Sequence, residues 1–424
     1  MTVATINYQS VKPRTAGYLI LLLALASIAA FGLYSAYIME HAGHHITGMT
    51  NRVVWGLPHV FAVSLIVAAS GALNGASLAS VFNNDLYKPY ARCSVALAVS
   101  LLIGGLLVLV LDLGRPDRLV IAVTHFNFRS IFSWNVFLYT GFIAIGIVYL
   151  WFLCERRYRH RIKQIAIIAL IWRIMLTTGT GCIFGFLVGR DSLDTALLAP
   201  MFIALSLVTG TAVFALCLHA IARVQRNPIT CDTIRSLSKL LIWFMLALGY
   251  FALVHHLTNL YVAEHALTEQ LALTGPNAGI FWFGFVVAGL ILPTALLLKN
   301  SLQKSTIVSA DNTESNREPG EAQSPNREAA TSVCNTSKNR LVAACVAALA
   351  GSACLVYVVI IGSQTAPQKL FPGKTVVASS FGDKGVASYQ PSIWEWGLGA
   401  GGIAIALLIF IVLLRLFPFT AVRR

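Results

Sequence analysis

Apolar residues run along this chain in long unbroken stretches, not in the alternation of strands or the stripes of soluble helices. A helix needs about 20 apolar residues to cross hydrocarbon. Ten stretches reach that length, at roughly 15–38, 54–80, 93–111, 131–153, 165–188, 196–222, 240–262, 278–298, 341–362 and 393–416. The Gly and Pro inside them are tolerated in membrane helices. The pattern predicts an all-α polytopic membrane protein. Helices 2–5 and 6–9 would form two four-helix bundles, with one further helix at each end. Internal similarity is limited to positions such as Gly71 and Gly75 against Gly210.

Polar residues gather between the runs. Residues 300–340 carry too little apolar surface to fold and predict a disordered linker. They would divide a main body, 1–299, from a C-terminal two-helix segment, 341–424. The loop 363–392 in that segment ends in Trp394-Glu395-Trp396, an interfacial aromatic anchor. Lys and Arg fall mostly in alternate connections, densest at Arg156-Arg157-Tyr158-Arg159-His160-Arg161-Ile162-Lys163. The other side holds only Arg52, Arg115, Arg118, Arg129, Arg190, Lys369, Lys374 and Lys384 of the 31. That asymmetry predicts cytoplasmic N- and C-termini.

Composition sharpens the class. Hydrophobic residues make up 57% and charged residues 11%, against roughly 25% charged in soluble domains. The mean hydropathy is +0.73. The net charge of +14 follows from the loop bias and fits an anionic inner leaflet; it is not a nucleic-acid footprint. The first run is too long for a signal-peptide core and reads as an uncleaved anchor. None of the eight cysteines forms a CxxC or lies in an outer loop, so disulfides, zinc and iron–sulfur ligation are not expected.

The side poor in Lys and Arg carries the distinctive chemistry. Glu40-His41-Ala42-Gly43-His44-His45 is followed closely by Trp55-Gly56-Leu57-Pro58-His59, where a helix re-enters the bilayer. His41, His44, His45 and His59 are candidates for proton transfer, because an imidazole titrates near neutral pH. A metal cluster, a solvated patch and, for His59, a core histidine remain alternatives. Asp112, Arg115, Asp117, Arg118 and Arg129 between helices 3 and 4 would brace a cavity at this edge or form a salt-bridged turn. Helix 7 adds a polar stripe with Tyr250, His255, His256 and Asn259, as a second wall, a proton path or interhelical glue. Arg173, inside helix 5, is expected to snorkel.

Trp55-Gly56-Leu57-Pro58, Leu113-Gly114-Arg115-Pro116, Phe128-Arg129-Ser130 with Trp134-Asn135-Val136-Phe137, and Ala199-Pro200-Met201-Phe202 with Gly210 together resemble the polysulfide-reductase membrane-subunit family (NrfD/PsrC-like). The ten-span form, Gly43-His44-His45 and Leu257-Thr258-Asn259-Leu260-Tyr261 look most like its DsrP-type branch, from the sulfite-reduction-associated transmembrane complex. The likeness covers roughly residues 15–300 and the final helix pair. It implies an integral quinone-binding subunit of a respiratory-type redox complex in a bacterial inner membrane. Such a subunit exchanges electrons between menaquinone or ubiquinone and a periplasmic, ferredoxin-like iron–sulfur subunit, beside other membrane, cytochrome or iron–sulfur subunits. The resemblance further implies no haem or cluster on this chain, and a place in dissimilatory sulfur metabolism. Carried onto this sequence, Trp55 to His59 would head the helix lining the quinone pocket. Arg115 and Arg129 would brace its rim, Asn135 and Tyr139 would face it, and Asp112, Tyr250 and His255 complete the candidate set. A secondary transporter and a structural anchor are the competing classes.

Overall fold

The computed structural model describes residues 7–11, 16–225, 228–302, 325–367 and 385–422. Ten of the described helices are long and apolar enough to span a bilayer. They are α1 (Ala16–Ala42), α2 (Leu57–Ser80), α3 (Ala91–Leu111), α4 (Ile131–Cys154), α5 (Ile162–Gly185), α6 (Leu198–Gln225), α7 (Cys231–Tyr261), α8 (Ile280–Asn300), α9 (Ser332–Thr365) and α10 (Ile393–Leu416). The backbone of a lipid-embedded segment must satisfy its own hydrogen bonds, which selects helices throughout.

Helices α2–α5 pack as one four-helix bundle and α6–α9 as a second. They join where α2 meets α6 and α9, and where α5 meets α6. Helix α10 lies against α1, α2 and α3, so α1 reaches the body largely through α10. The central contact depends on two glycines, Gly71 of α2 and Gly210 of α6. A Cβ on Gly71 would collide with the Ser206 carbonyl of α6, and one on Gly210 with the Gly71 backbone. Small residues let membrane helices approach to backbone contact. The chain ends meet in a two-stranded antiparallel pair, β1 (Asn7–Gln9) and β2 (Thr420–Val422), with Tyr8 opposite Ala421. Arg92 fastens that end, stacking over the Tyr8 ring and donating to the Leu153 and Pro418 carbonyls. The face that holds this strand pair is called the terminal face below.

Four expectations change. The helix containing α9 begins at Pro325, so residues 325–340 are helical; a proline at a helix start is conformationally suited to it, and alanines and charged residues then carry the helix on. Residues 303–324 of the expected linker lie outside the described residues. The C-terminal helices do not form a separate segment, since α9 completes the second bundle and α10 serves the first. Arg173 does not snorkel. Its side chain is buried between α5 and α2, where Nη1 donates to the Ser70 carbonyl at 3.2 Å and Ser70 Oγ returns a bond to the Arg173 carbonyl. An arginine at mid-span costs about 2.5–3.5 kcal/mol on insertion scales, and α2 offers it a backbone acceptor there. Finally, Cys231 and Cys334 form a disulfide between α7 and the helix of α9. Their sequence separation of 103 residues leaves no short motif to read.

Gly210→Leu is expected to force the bundles apart and cost about 3 kcal/mol, the upper range for overpacking. Gly249→Ala, whose added Cβ meets only Leu290 Cδ1 at 3.5 Å, should stay close to neutral. Thermal melting of the two variants in detergent checks this; equal melting temperatures would refute the close-contact account.

Candidate functional site

The chemistry gathers at the mouth of the first bundle, on the face opposite the chain ends. Helix α2 starts cleanly because Gly56 caps it and Pro58 sits in its first turn. This fixes His59, whose amide donates to the Gly56 carbonyl at 3.2 Å. Its ring meets Asp112, the residue closing α3. His59 Nδ1 lies 2.8 Å from Asp112 Oδ2, with the imidazole 22% exposed and the carboxylate side chain 1% exposed. The contact is at ion-pair distance without the alignment of a hydrogen bond, and neither Asp112 oxygen has a hydrogen-bond partner among the described residues. A carboxylate at the C-terminal end of a helix opposes the helix dipole, and its burial adds a desolvation cost. The imidazole is its nearest polar side chain.

Around this pair the walls are aromatic. Trp55 stacks with His59 at a centroid separation of 6.0 Å and meets Phe184 of α5 edge-on at 5.6 Å. Phe132 of α4 closes a third side at 6.3 Å from Trp55. His44 Nε2 donates to the Asp112 carbonyl at 3.1 Å, which joins the histidine loop to the end of α3. Just inside, Asn135 donates to the Ile131 and Gly179 carbonyls. It ties α4 to α5 and leaves its buried Oδ1 without a partner. Tyr139 lies buried one turn further along α4.

Not every expected residue joins this centre. His41 stacks on Tyr37 and bonds its carbonyl, exposed on α1, and His45 is exposed. Arg115 pairs with its own neighbour Asp117 at 3.2 Å on the surface, and Arg129 is exposed with its amide bonded to Asn127. Tyr250 is 62% exposed and points away from the bundle. His255 belongs to a network of the second bundle: Asn259 Nδ2 lies 3.3 Å from His255 Nε2 and 3.3 Å from Glu269 Oε2, while His256 Nδ1 meets Glu269 Oε1 at 2.5 Å.

Three groups that position the mouth were missed from sequence. Gln364, at the end of α9, accepts from the Val54 and Trp55 amides through Oε1 and donates to the Trp55 carbonyl through Nε2. One side chain of the second bundle thus holds the Trp55 backbone. Glu395 is fully buried and accepts from the Gly48 amide at 2.8 Å, the Ser392 amide at 2.7 Å and Tyr389 Oη at 2.6 Å. Tyr389 in turn accepts from the Leu57 amide at 2.6 Å. Only Ser392-x-x-Glu395, a capping box, was a visible signal; the remaining partners are far apart in sequence.

Ten spans among the described residues, eight of them in two bundles, with a partly open imidazole against a buried carboxylate at one end of the first bundle, define an integral membrane protein. The chain belongs to the polysulphide reductase NrfD family, whose model matches residues 45–310. It is 28% identical over 417 residues to the Hdr-like menaquinol oxidoreductase integral membrane subunit of Archaeoglobus fulgidus, covering 97% of this chain and 96% of that one. It is 30% identical to a putative dimethyl sulfoxide reductase membrane subunit of Halobacterium salinarum, over 68% of this chain and 70% of that protein. A selenate reductase subunit of Mesobacillus selenatarsenatis is 22% identical, with 93% and 92% covered.

Burial and the adjacent Glu395 carboxylate push the Tyr389 hydroxyl far above its ordinary range. A raised folded-state pKa means this contribution is complete below the unfolded value, about 10, and falls away as pH rises beyond it. Wild-type melting temperature should therefore decline more steeply above pH 10 than that of Tyr389→Phe, which starts lower for want of two hydrogen bonds. Parallel pH profiles would count against the buried Tyr389–Glu395 link.

Proposed function

We propose that this chain is the quinol-handling membrane subunit of a multi-subunit redox complex, and that the mouth of the first bundle is where the quinone ring is held. The observation that carries the reading is the His59–Asp112 pair, with its carboxylate sealed from solvent and its imidazole partly open. The buried Asp112 oxygens, which no hydrogen bond satisfies, and the partly open imidazole beside the flat Trp55 ring suit a planar ligand with an ionisable hydroxyl. The names of the relatives favour a menaquinol-type carrier.

A bound quinol supplies two electrons and two protons. The polypeptide's part is to take the first of these protons. With Nδ1 directed at Asp112, His59 keeps Nε2 for a ligand hydroxyl and takes its proton there. The Asp112 carboxylate stabilises the resulting imidazolium, as a buried acid does for a catalytic histidine elsewhere. Trp55 orients the ring, and the Gln364 clamp keeps Trp55 in place. Electrons pass to an iron–sulfur subunit on the same, periplasmic face, where the exposed Arg115, Arg118 and Arg129 favour an acidic docking partner. The setting is the cytoplasmic membrane of a bacterium and a sulfur-linked respiratory chain.

His59→Ala should lower quinol-dependent reduction of the partner by about 10²–10⁴-fold, the usual weight of a general base, without loss of the subunit from the membrane. Asp112→Asn should fall between it and wild type. Steady-state kinetics on the assembled complex provide the measurement, and wild-type turnover in His59→Ala would reject the assignment.

A further inference from the structure

The Cys231–Cys334 bridge lies on the terminal face, remote from the quinol chemistry. Cys231 opens α7 directly after Thr230, and Cys334 lies in the early turns of the helix that becomes α9. Their Cα atoms are 5.8 Å apart. The bridge borders a surface cleft whose lining also includes Arg235, Asn300 and Ser337. Around Cys334 the helix is loosely held. Residues 332–340 are exposed or partly exposed, and firm burial begins at Leu341. Besides the bridge, Asn300 Nδ2 donates to the Ser337 carbonyl at 2.8 Å. Both links tie residues 334–337 of the helix to α7 and α8.

The charge pattern makes the bridge unusual. Lys and Arg concentrate on this face, which marks it as cytoplasmic. That compartment keeps thiols reduced, and the disulfides found there are mostly transient or redox-sensing. We infer that Cys231–Cys334 is a reversible thiol–disulfide exchange site, opened and closed by a dithiol carrier of the cytoplasm, which releases or fastens the leading turns of α9.

The two sulfurs differ. Cys231 stands in the first turn of a 31-residue helix, and Arg235, one turn on and paired with Asp232 at 3.4 Å, lines the same cleft. A helix N-terminus and a neighbouring cation stabilise a thiolate, and the better-stabilised thiolate leaves faster in exchange. The carrier thiolate therefore attacks Cys334 Sγ; a mixed disulfide forms there and Cys231 departs as thiolate. The second carrier thiol then attacks the carrier sulfur of the mixed disulfide, freeing Cys334. Two electrons and two protons pass from carrier dithiol to protein, and the carrier ends as its own disulfide. Closure is the reverse, with an oxidised carrier as electron acceptor.

The test uses the intact complex in sealed membrane vesicles. Reduced thioredoxin, or dithiothreitol as the small-molecule probe, is added to the terminal face. Free thiols are then trapped with a maleimide and located by peptide mass spectrometry. The expected result is labelling of Cys231 and Cys334 in folded protein, reversed by an added disulfide oxidant. Labelling should be accompanied by at least a tenfold rise in amide exchange across residues 332–337. The double variant Cys231→Ser/Cys334→Ser should show the fast exchange without reductant, and retained quinol activity would confirm that it has folded. A bridge that opens only on denaturation, thiols that never re-form it under oxidant, or exchange in 332–337 indifferent to its state would each overturn the inference.

Discussion

A polar atom inside hydrocarbon has no water to turn to, and that constraint arranges the whole molecule. Buried polar side chains reach for partners on other elements, and those reaches decide which helices adjoin. Arg173 draws α5 onto α2 through Ser70, Asn74 links α2 to Thr211 of α6 at 2.8 Å, and Tyr149 ties α4 to the Ala76 carbonyl. Net hydrophobic attraction between helices is weak in lipid, so these bonds and the glycine contacts carry much of the specificity. The Gly71–Gly210 approach is the steric half of the same arrangement, because the polar reaches between bundles are short.

The mouth of the first bundle shows what happens when the constraint is left unmet. Asp112 and Asn135 retain buried oxygens without donors, while nearby backbone groups at Val54, Trp55 and Leu57 are satisfied by long-range side chains. Unpaired buried acceptors normally cost about 1–3 kcal/mol each. The rim's backbone is thus held by long-range side chains while the Asp112 carboxylate is left without a hydrogen bond, which is the contrast the proposed ligand site rests on. Glu395 and Gln364 supply that scaffold. Both act from the C-terminal third of the chain on residues 48–57, so the mouth depends on helices outside its own bundle.

What could be read beforehand follows from the range of each signal. The ten spans and their grouping were legible because length and lack of charge are local properties. Trp55, His59, Asp112 and His44 were legible as polar or aromatic residues at a helix end, where chemistry is otherwise costly. Gln364 and Tyr389 were not, since a single glutamine or tyrosine carries no sign of a partner more than 300 residues away. Arg173 was misjudged because snorkelling is a property of the side chain alone, whereas its real acceptor belongs to another helix. The disulfide escaped for the same reason, and because the charge bias argued against it.

The second bundle repeats the motif in a different state, and the contrast explains why only one mouth is assigned chemistry. His256 and Glu269 form another imidazole–carboxylate pair on the same face, with Glu269 1% exposed. There, however, both carboxylate oxygens are engaged, Oε1 by His256 and Oε2 by Asn259, and His265 Nδ1 donates to Asn259 Oδ1 at 3.2 Å. Phe281 covers the His256 ring at 4.5 Å. A carboxylate whose two oxygens are both bonded is a brace, and it holds the short helix Ala266–Thr274 against α7. His59 and Asp112 have the same two functional groups, also beside an aromatic ring, that of Trp55, but without the extra donors. The two pairs in this fold therefore differ in how many neighbours have already satisfied the acid, and the proposed chemistry falls to the one left unsatisfied.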